Sequence, residues 1–320
     1  MKITNHTSSA HRTLHPIHVF PVNRMLQSWA ESWNEHDEPT EDWRLVAWPF
    51  LADGSIALLF EFRNEIYDGN IDRMYPARIS SFYKVYIYDP HSGKLLKRHR
   101  FRLQDGFCYT VFFYDGNLYG VVKPWASQKY DVIRMWPGKC DHDQFKIGKN
   151  VTRVVSDREG NVYVGYECKA HSEENGVTPI ICYAEHNNWK LPIKSEFPVT
   201  RCQDLTLDAK DRFWYHLYPD NRLQRLEDGY SVAYTVEISG FAGFGFSQSG
   251  DYLLTEFDYK DDEGCRLFAM RRDKAAYIDP VPVKVEGIGK FIPGCGSYLG
   301  TNAAYYCGEA VYVVDLNELE

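Results

Sequence analysis

A tight polar turn followed by a short apolar or aromatic run occurs five times in this chain, and this pattern limits the possible folds more than any other feature. Four of the turns contain glycine, and the remaining one contains Asp211-Arg212 instead. Turns of this composition join neighbouring antiparallel strands. The turns lie at residues 52–55, 114–117, 158–161, 209–212 and 248–251.

A second hairpin is visible in three of the repeats. These hairpins combine residues 84–89 with 94–101, 180–183 with 189–197, and 222–226 with 232–238. Two hairpins in each repeat give four strands, and a repeat of roughly 45 to 50 residues is typical of a propeller blade. The sequence therefore predicts an all-β fold, a six-bladed β-propeller with four-stranded blades.

The predicted propeller is a single domain of residues 1–320, in which residues 43–320 form the blades. The sixth blade is one strand short at the C-terminus. Residues 15–22 have strand composition, so we expect this N-terminal segment to supply the missing outer strand and close the ring. The blades are predicted at residues 43–102, 106–147, 151–197, 202–238, 241–286 and 288–320, the last with strands near 290–293, 298–306 and 310–316.

Residues 1–42 are predicted to hold the closing strand, one short helix and an acidic linker. Leu26, Trp29 and Trp33 recur at helical spacing and form one apolar face. Packing of this face on one end of the ring is the simplest interpretation, and a partner-binding helix is the alternative.

The net charge of −8 argues against nucleic acid as the partner, because an acidic surface repels phosphate. One basic run, residues 94–102, is interpreted as a solvated outer strand. The first residues lack the apolar segment of a signal peptide, and no stretch is long and apolar enough for a membrane span. A cytoplasmic location follows as the expectation, with the eight cysteines reduced.

Long insertions interrupt the predicted strands at residues 63–80, 171–177 and 258–264. All three fall between the second and third strands of a blade, so we expect them to emerge on one face of the ring. Loops carried on one face of a rigid scaffold are the usual place for recognition.

Common catalytic and cofactor-binding motifs do not occur in the sequence, so we predict no cofactor and no metal. Three groups of potential ligands have simpler interpretations as a tail, a turn and a solvated loop. They are His6, His11, His15 and His18; Asp141-His142-Asp143; and residues 258–263.

Residues 204–229 resemble one blade of an NHL-type propeller. An apolar strand and an Asp-containing turn (205–208) lead to an aromatic strand (213–215), then to Asn221-Arg222 and a closing Asp228-Gly229. Residues 151–166 and 244–256 match only the first half of this pattern. The resemblance implies the architecture and supports no particular activity.

Propellers similar to this one include calcium-dependent lactonases and gluconolactonase-like hydrolases, in which Glu, Asn and Asp side chains from several blades hold a metal on the axis. At the inner ends of the predicted first strands, the carboxylates are Asp42 and Asp204, beside the cationic Arg153 and Lys290. A hard cation needs several oxygen ligands, mostly anionic. This ring therefore disfavours the metal-dependent function that the resemblance suggests.

Two functional hypotheses follow. The first is a non-enzymatic recognition propeller that binds a protein partner, expected to be basic, through its axial face and inserted loops; a toxin-neutralising immunity-type protein is one such case. The alternative is a metal-dependent hydrolase, lactonase or lyase with a sugar-like substrate in the axial pocket. The candidate binding residues are Arg153, Asp204 and His216, each of which also has a purely structural interpretation.

Overall fold

The structure is a computed structural model of the chain. It describes residues 11–31, 43–66, 78–104, 106–114, 117–124, 129–136, 146–149, 151–159, 162–166, 178–183, 193–199, 202–217, 222–227, 230–237, 241–257, 266–289 and 296–320.

Strands dominate the part of the chain that is described, beside one α-helix, α1 (Val22–Glu31), and a C-terminal 3₁₀ helix (Leu316–Leu319). The strands are β1 (Arg12–Leu14), β2 (Pro16–Phe20), β3 (Arg44–Ala47), β4 (Ile56–Ile66), β5 (Arg78–Tyr88), β6 (Leu95–Gln104), β7 (Gly106–Tyr114), β8 (Asn117–Pro124), β9 (Lys129–Trp136), β10 (Lys146–Lys149), β11 (Val151–Ser156), β12 (Val162–Tyr166), β13 (Thr178–Tyr183), β14 (Ile193–Val199), β15 (Cys202–Leu207), β16 (Phe213–Leu217), β17 (Arg222–Glu227), β18 (Tyr230–Val236), β19 (Phe241–Phe246), β20 (Tyr252–Phe257), β21 (Arg266–Asp273), β22 (Ala276–Val285), β23 (Ser297–Leu299), β24 (Asn302–Tyr306) and β25 (Val311–Asp315).

Within each sheet, most strands pair antiparallel with their neighbours in the chain. Four sheets contain four strands each, in the orders β3-β4-β5-β6, β7-β8-β9-β10, β11-β12-β13-β14 and β23-β24-β25-β2. The remaining strands form a nine-stranded sheet of order β15-β16-β17-β18-β22-β21-β20-β19, with β1 beside β22. The sequence predicted residues 202–238 and 241–286 to form separate blades. In the structure their outer strands, β18 and β22, meet edge to edge and are joined by two residue pairs, Thr235↔Ala276 and Val236↔Tyr277.

The first strands of successive sheets lie side by side around a common centre. β3 contacts β7, β7 contacts β11, and the series continues through β15 and β19 to β23. The ring closes where the Phe50 amide donates to Ser297 Oγ (3.2 Å). Apolar clusters fill the gaps between neighbouring sheets; one of them joins Leu59 of β4 to Val111 of β7.

The N-terminal segment pairs with the C-terminal sheet, as predicted. β2 pairs antiparallel with β25 and completes the C-terminal sheet as its outer strand. β1 adds a connection that the sequence did not indicate, because it runs parallel to β22 of the preceding sheet. The Arg12 guanidinium donates to the Leu319 carbonyl, and the His15 amide donates to Glu318 Oε2 (2.8 Å).

Helix α1 follows the closing strand directly. Met25 and Leu26 of α1 pack against the cluster between the last and first sheets, and Leu26 belongs to the predicted apolar face. Of the other residues predicted for this face, the Trp29 side chain and Trp33 lie outside the described residues.

The glycine-free turn adopts the backbone conformation of the glycine turns. Asp211 has φ 56°, in the left-handed region that Gly54 (φ 84°) and Gly250 (φ 76°) occupy in their turns. Asp208 stabilises this turn through its carboxylate, which accepts hydrogen bonds from the Lys210 amide (2.9 Å) and from Trp214 Nε1 (2.8 Å).

Strand boundaries differ from the prediction in two places. The predicted strand 298–306 is two strands, because the backbone reverses at Gly300 (φ 60°). The predicted insertion at 63–80 is partly strand, since β4 and β5 extend into it from both sides. The predicted strand 290–293 and the insertions 171–177 and 258–264 lie outside the described residues.

Among the residues that can be described, no helix has the length and hydrophobicity needed to cross a membrane. Cys108 and Cys307 are free thiols, the first of them buried.

Removing the Phe20 side chain tests the closure by β2. Phe20 is 3% exposed, whereas its neighbour Val19 points outward and is 39% exposed. We expect Phe20→Ala to lower the free energy of unfolding by about 3 kcal/mol and Val19→Ala to leave it nearly unchanged. Urea denaturation measures both. Equal effects would show that β2 does not pack as described.

Glycine and alanine variants test the strained turn. At Asp211 we expect glycine to be more stable than alanine by about 1 kcal/mol, because only glycine adopts positive φ without steric cost. At Lys210, which has no positive φ, alanine is expected to be at least as stable as glycine. Thermal unfolding of the four variants gives the comparison, and the same order at both positions would contradict the assignment.

Candidate functional site

Register shifts mark one end of the ring. The register shifts in five pairs of strands, β3–β4, β7–β8, β11–β12, β15–β16 and β19–β20. In each pair the shift lies three or more residues from the turn that joins the two strands. A β-bulge bends a strand and redirects the side chains next to it, and bulges are common beside active sites. We call this the bulge end, and the opposite end, which carries the joining turns, the turn end.

Asp204 and His216 lie together at the bulge end. Asp204 is the first paired residue after the bulge of β15, and His216 of β16 is its direct cross-strand partner. Side chains of such partners leave the same face of the sheet about 5 Å apart. Both residues are buried, with 3% and 1% exposure. Asp204 Oδ1 accepts a hydrogen bond from the Leu205 amide (2.8 Å).

Burial sets the protonation state of His216. Loss of solvation disfavours the imidazolium and lowers the pKa of His216 from 6.5 to about 4. The ring is therefore neutral at pH 7. A neutral imidazole can donate one hydrogen bond and accept another, so His216 can orient a hydroxyl group but cannot act as a cationic acid at this pH.

Arg153 occupies the equivalent place on the preceding sheet. It is the first paired residue after the bulge of β11, opposite Gly165 of β12. The backbone of this residue is described, but its side chain is not. The three candidates from the sequence thus share one end of the ring, and the direct pairing is between Asp204 and His216.

Glu256 is a buried carboxylate that the sequence analysis missed. It lies on β20 opposite Gly243 and is 1% exposed. Tyr298 Oη of β23 donates a hydrogen bond to Glu256 Oε1 (2.5 Å), and Tyr305 Oη donates to Tyr298 Oη (3.1 Å). Burial and the adjacent Glu256 raise the pKa of Tyr298 well above its ordinary value, so its phenol stays protonated and donates.

Two glycines make room for this carboxylate beside the innermost strands. A Cβ on Gly243 would lie 2.7 Å from Glu256 Oε1, and a Cβ on Gly296 would lie 1.8 Å from the same atom. Any side chain at either position would displace the carboxylate. Glu256 therefore reaches from the second strand of its sheet into the gap between β19 and the segment that enters β23, at the wall of the ring.

The sequence contained one signal for Glu256. His216 and Glu256 each stand three residues after the first residue that pairs across the joining turn, which is Phe213 in β16 and Leu253 in β20. They are thus equivalent positions of two repeats. The glycines that accommodate Glu256 come from distant parts of the chain, and nothing in the local sequence of Gly296 predicts its role.

Two cavities lie elsewhere on the molecule. One of about 110 Å³ opens at the turn end, lined by Ala52, Gly54, Arg158, Ala209, Asp211, Gln248, Leu299, Gly300, Thr301 and Asn302. A larger one of about 520 Å³ is a shallow depression on the outer part of the nine-stranded sheet, lined by Asp251, Tyr252, Arg271, Arg272 and Lys274. Neither contains Asp204, His216 or Glu256.

The bulge end does not fit a tightly held metal ion in its described part. No group of three or more His, Cys, Asp or Glu side chains there is arranged to hold one. The carboxylate oxygens also have other partners, since Glu256 Oε1 accepts from Tyr298 and Asp204 Oδ1 from an amide. A hard cation needs more oxygen ligands than these residues offer.

No protein-family model matches the sequence, and no curated protein matches it. Solved structures are similar to it over most of their length. They include an aldose sugar dehydrogenase from Streptomyces coelicolor (TM-score 0.47, 11% identity, 85% of this chain and 96% of that one), a gluconolactonase from Xanthomonas campestris (0.41, 10%, 81% and 89%) and virginiamycin B lyase from Staphylococcus aureus (0.46, 11%, 85% and 98%). These structures include a gluconolactonase, the type of propeller that the sequence resembled. At such low identities and TM-scores, the similarity implies nothing about activity.

The low pKa of His216 predicts a loss of stability in acid. The unfolded chain takes up a proton near pH 6.5, whereas the folded chain does so only near pH 4. Stability is therefore full above pH 6.5 and falls as the pH drops towards 4. We expect protonation of His216 to lower the free energy of unfolding of the wild type by about 2 kcal/mol between pH 7 and pH 5. His216→Gln should not show this part of the decrease. Denaturant titrations at both pH values measure it, and identical pH dependence of the two proteins would refute the assignment.

Proposed function

We propose that the chain is a six-bladed β-propeller. Division of the nine-stranded sheet at its β18–β22 junction yields two groups of four antiparallel strands, β15–β18 and β19–β22. With the four separate sheets this makes six groups, each with its first strand at the centre. The parallel contact at the junction involves two residue pairs, far fewer than the antiparallel pairs inside each group.

We further propose that the bulge end is the active site of a hydrolase acting on a sugar-like lactone or ester. The observation that carries this proposal is the Glu256 carboxylate, buried at the ring wall between two glycines and held by a protonated tyrosine. Burial of an ionisable group costs stability, and ionisable groups that are buried beside a specific hydrogen-bond partner are common at catalytic sites.

The reaction assigned to Glu256 is general base catalysis. The carboxylate takes a proton from a water molecule while the water oxygen forms a bond to the carbonyl carbon of the lactone. The ring carbon–oxygen bond then breaks, and the proton passes from Glu256 to the departing ring oxygen. Lactone and water thus give a hydroxy acid, and Glu256 returns to its starting state.

The neighbouring residues position the reactants. Tyr298 donates to Oε1 of Glu256 and fixes the orientation of the carboxylate towards the water molecule. The neutral His216 and Asp204 supply acceptors on the adjacent sheet, which suit the hydroxyl groups of a polyhydroxylated substrate. Leu205 and Leu207 alternate with Asp204 on β15 and pack into the core, which keeps this strand rigid.

No contact in the described part of the chain favours the protein-binding hypothesis over this one. Two of the inserted loops on which recognition was to depend, 171–177 and 258–264, lie outside the described residues. A basic protein partner, an immunity-type role and a cytoplasmic location stay predictions from the sequence.

Hydrolysis of a lactone panel tests the proposal. We expect activity towards at least one of gluconolactone, 6-phosphogluconolactone, other aldonolactones or simple esters, the first two chosen from the chemistry named for similar structures. Glu256→Gln should lower kcat/KM at least about 100-fold, since general base catalysis contributes 10²–10⁴-fold. Addition and chelation of divalent metals should not change the rate.

Two tyrosine variants separate catalysis from folding. Tyr298→Phe removes the hydrogen bond to Glu256 and should lower kcat about tenfold with little change in KM. Tyr277 is also fully buried and donates to a carbonyl, that of Gly250 (3.0 Å), far from the bulge end. Tyr277→Phe should keep full kcat. A wild-type protein inactive on every substrate, or equal losses in both variants, would reject the proposal.

A further inference from the structure

A cluster of charged residues lies on the first sheet at the same bulge end. Arg44 begins β3, just ahead of the bulge in that strand, and Glu61 of β4 is its cross-strand partner. Arg63 follows two residues later on β4 and points to the same face. We call Arg44, Glu61 and Arg63 the arginine cluster. It does not overlap with Asp204, His216 or Glu256.

Both guanidinium groups contact a single carboxylate oxygen. Arg44 Nη2 (2.8 Å) and Arg63 Nε (3.0 Å) lie against Glu61 Oε2. Tyr83 Oη donates to the other oxygen, Oε1 (2.6 Å), and itself accepts from the Cys108 amide (2.9 Å). Burial alone would raise the pKa of Glu61, but these hydrogen bonds and the charge of Arg63 outweigh it. The pKa is therefore below its ordinary value, and the carboxylate stays ionised. The carboxylate is thus fixed and fully engaged.

The arginine cluster presents a guanidinium group to solvent in a chain whose net charge is −8. Both guanidinium groups contact the buried carboxylate of Glu61. The Glu61 side chain is 2% exposed, whereas that of Arg44 is 55% exposed and that of Arg63 30%. The Glu61 carboxylate is therefore buried and the Arg44 guanidinium group is presented to solvent, with donors that suit a planar or tetrahedral anion.

A buried hydroxyl group next to the cluster lacks a partner. Ser81 pairs in register with Arg63, beside Tyr83, and is fully buried. Its Oγ has no hydrogen-bond partner in the described structure. Buried hydroxyl groups are normally satisfied, so an orphaned one next to two guanidinium groups indicates a missing polar atom.

We propose that the arginine cluster is an anion-binding subsite, which makes the substrate of the bulge end an acidic sugar derivative with a carboxylate or phosphate group. The inference rests on the proposed function for the identity of the substrate, but the anion site itself can be tested without it. Arg44 binds the anion, Glu61 orients its guanidinium group, and Arg63 adds positive charge beside it. The net negative charge of the chain disfavours anion binding elsewhere on the surface.

Calorimetric titration at low ionic strength tests the subsite directly. The probes are inorganic phosphate, gluconate as a sugar carboxylate and glucose as a neutral sugar. We expect binding of at least one anion, weakened by added salt, and none of glucose. The anion that binds more tightly shows whether the acidic group of the substrate is a phosphate or a carboxylate. Arg44→Gln should weaken the binding at least tenfold, and Arg44→Lys should retain part of it.

Arg271 provides the matched control. Its side chain is 57% exposed and contacts one carboxylate, that of Asp279 (3.4 Å), on the outer part of another sheet. Arg271→Gln should bind the anion like wild type. Glu61 keeps Arg63 in the Arg44→Gln variant, so the fold is expected to persist, and its thermal unfolding curve checks this.

The outcomes separate the two proposals. Anion binding that is equal in wild type and Arg44→Gln, or wild type that binds neither anion, would overturn the subsite. Hydrolysis of neutral lactones by a protein that binds no anion would retain the proposed function and reject the acidic substrate. Binding that depends on Arg44, in a protein inactive on every lactone, would retain the subsite and reject the hydrolase.

Discussion

The pairing of β2 with β25 holds the two ends of the chain together, and the rest of the structure depends on it. A ring of sheets that lacked its last strand would leave the edge of β25 unpaired and the apolar cluster around Phe20 exposed. β1 reinforces the junction because it continues the same segment onto β22 of the preceding sheet. Glu256 and Tyr298 of the candidate site come from the two sheets that the N-terminal segment bridges.

β-Bulges and glycines place the polar side chains of the candidate site on the regular strands. Each first strand packs its apolar residues between sheets, and the register shift near the bulge end redirects the residues that follow, among them Arg153 and Asp204. Gly243 and Gly296 leave the space in which the carboxylate of Glu256 lies. The polar groups therefore sit on strands rather than on loops, and a site built on rigid strands holds its geometry well.

Much of the fold could be predicted because its signals are local. The turns, the alternating strands and the proline-flanked N-terminal strand depend on neighbours in sequence, and the structure has them in the predicted order. The site was only partly predictable. Asp204 and His216 were found because they flank a recognisable turn, whereas Glu256 was missed because Tyr298 and Gly296, which give it a role, are more than 35 residues away. The parallel contact between β18 and β22 was missed for the same reason.

The amino-acid sequence by itself determined the strand-turn repeat, the placement of a strand ahead of helix α1 and the left-handed turn at Asp211, since each follows from propensities and sterics within a few residues. Tertiary structure alone decided which ionisable side chains meet. It buried Glu256 under Tyr298, lowered the pKa of His216 by removing it from water, and set two arginines against the single carboxylate of Glu61. Desolvation and charge pairing depend on distances in space between strands that are remote in sequence, so no local pattern encodes them.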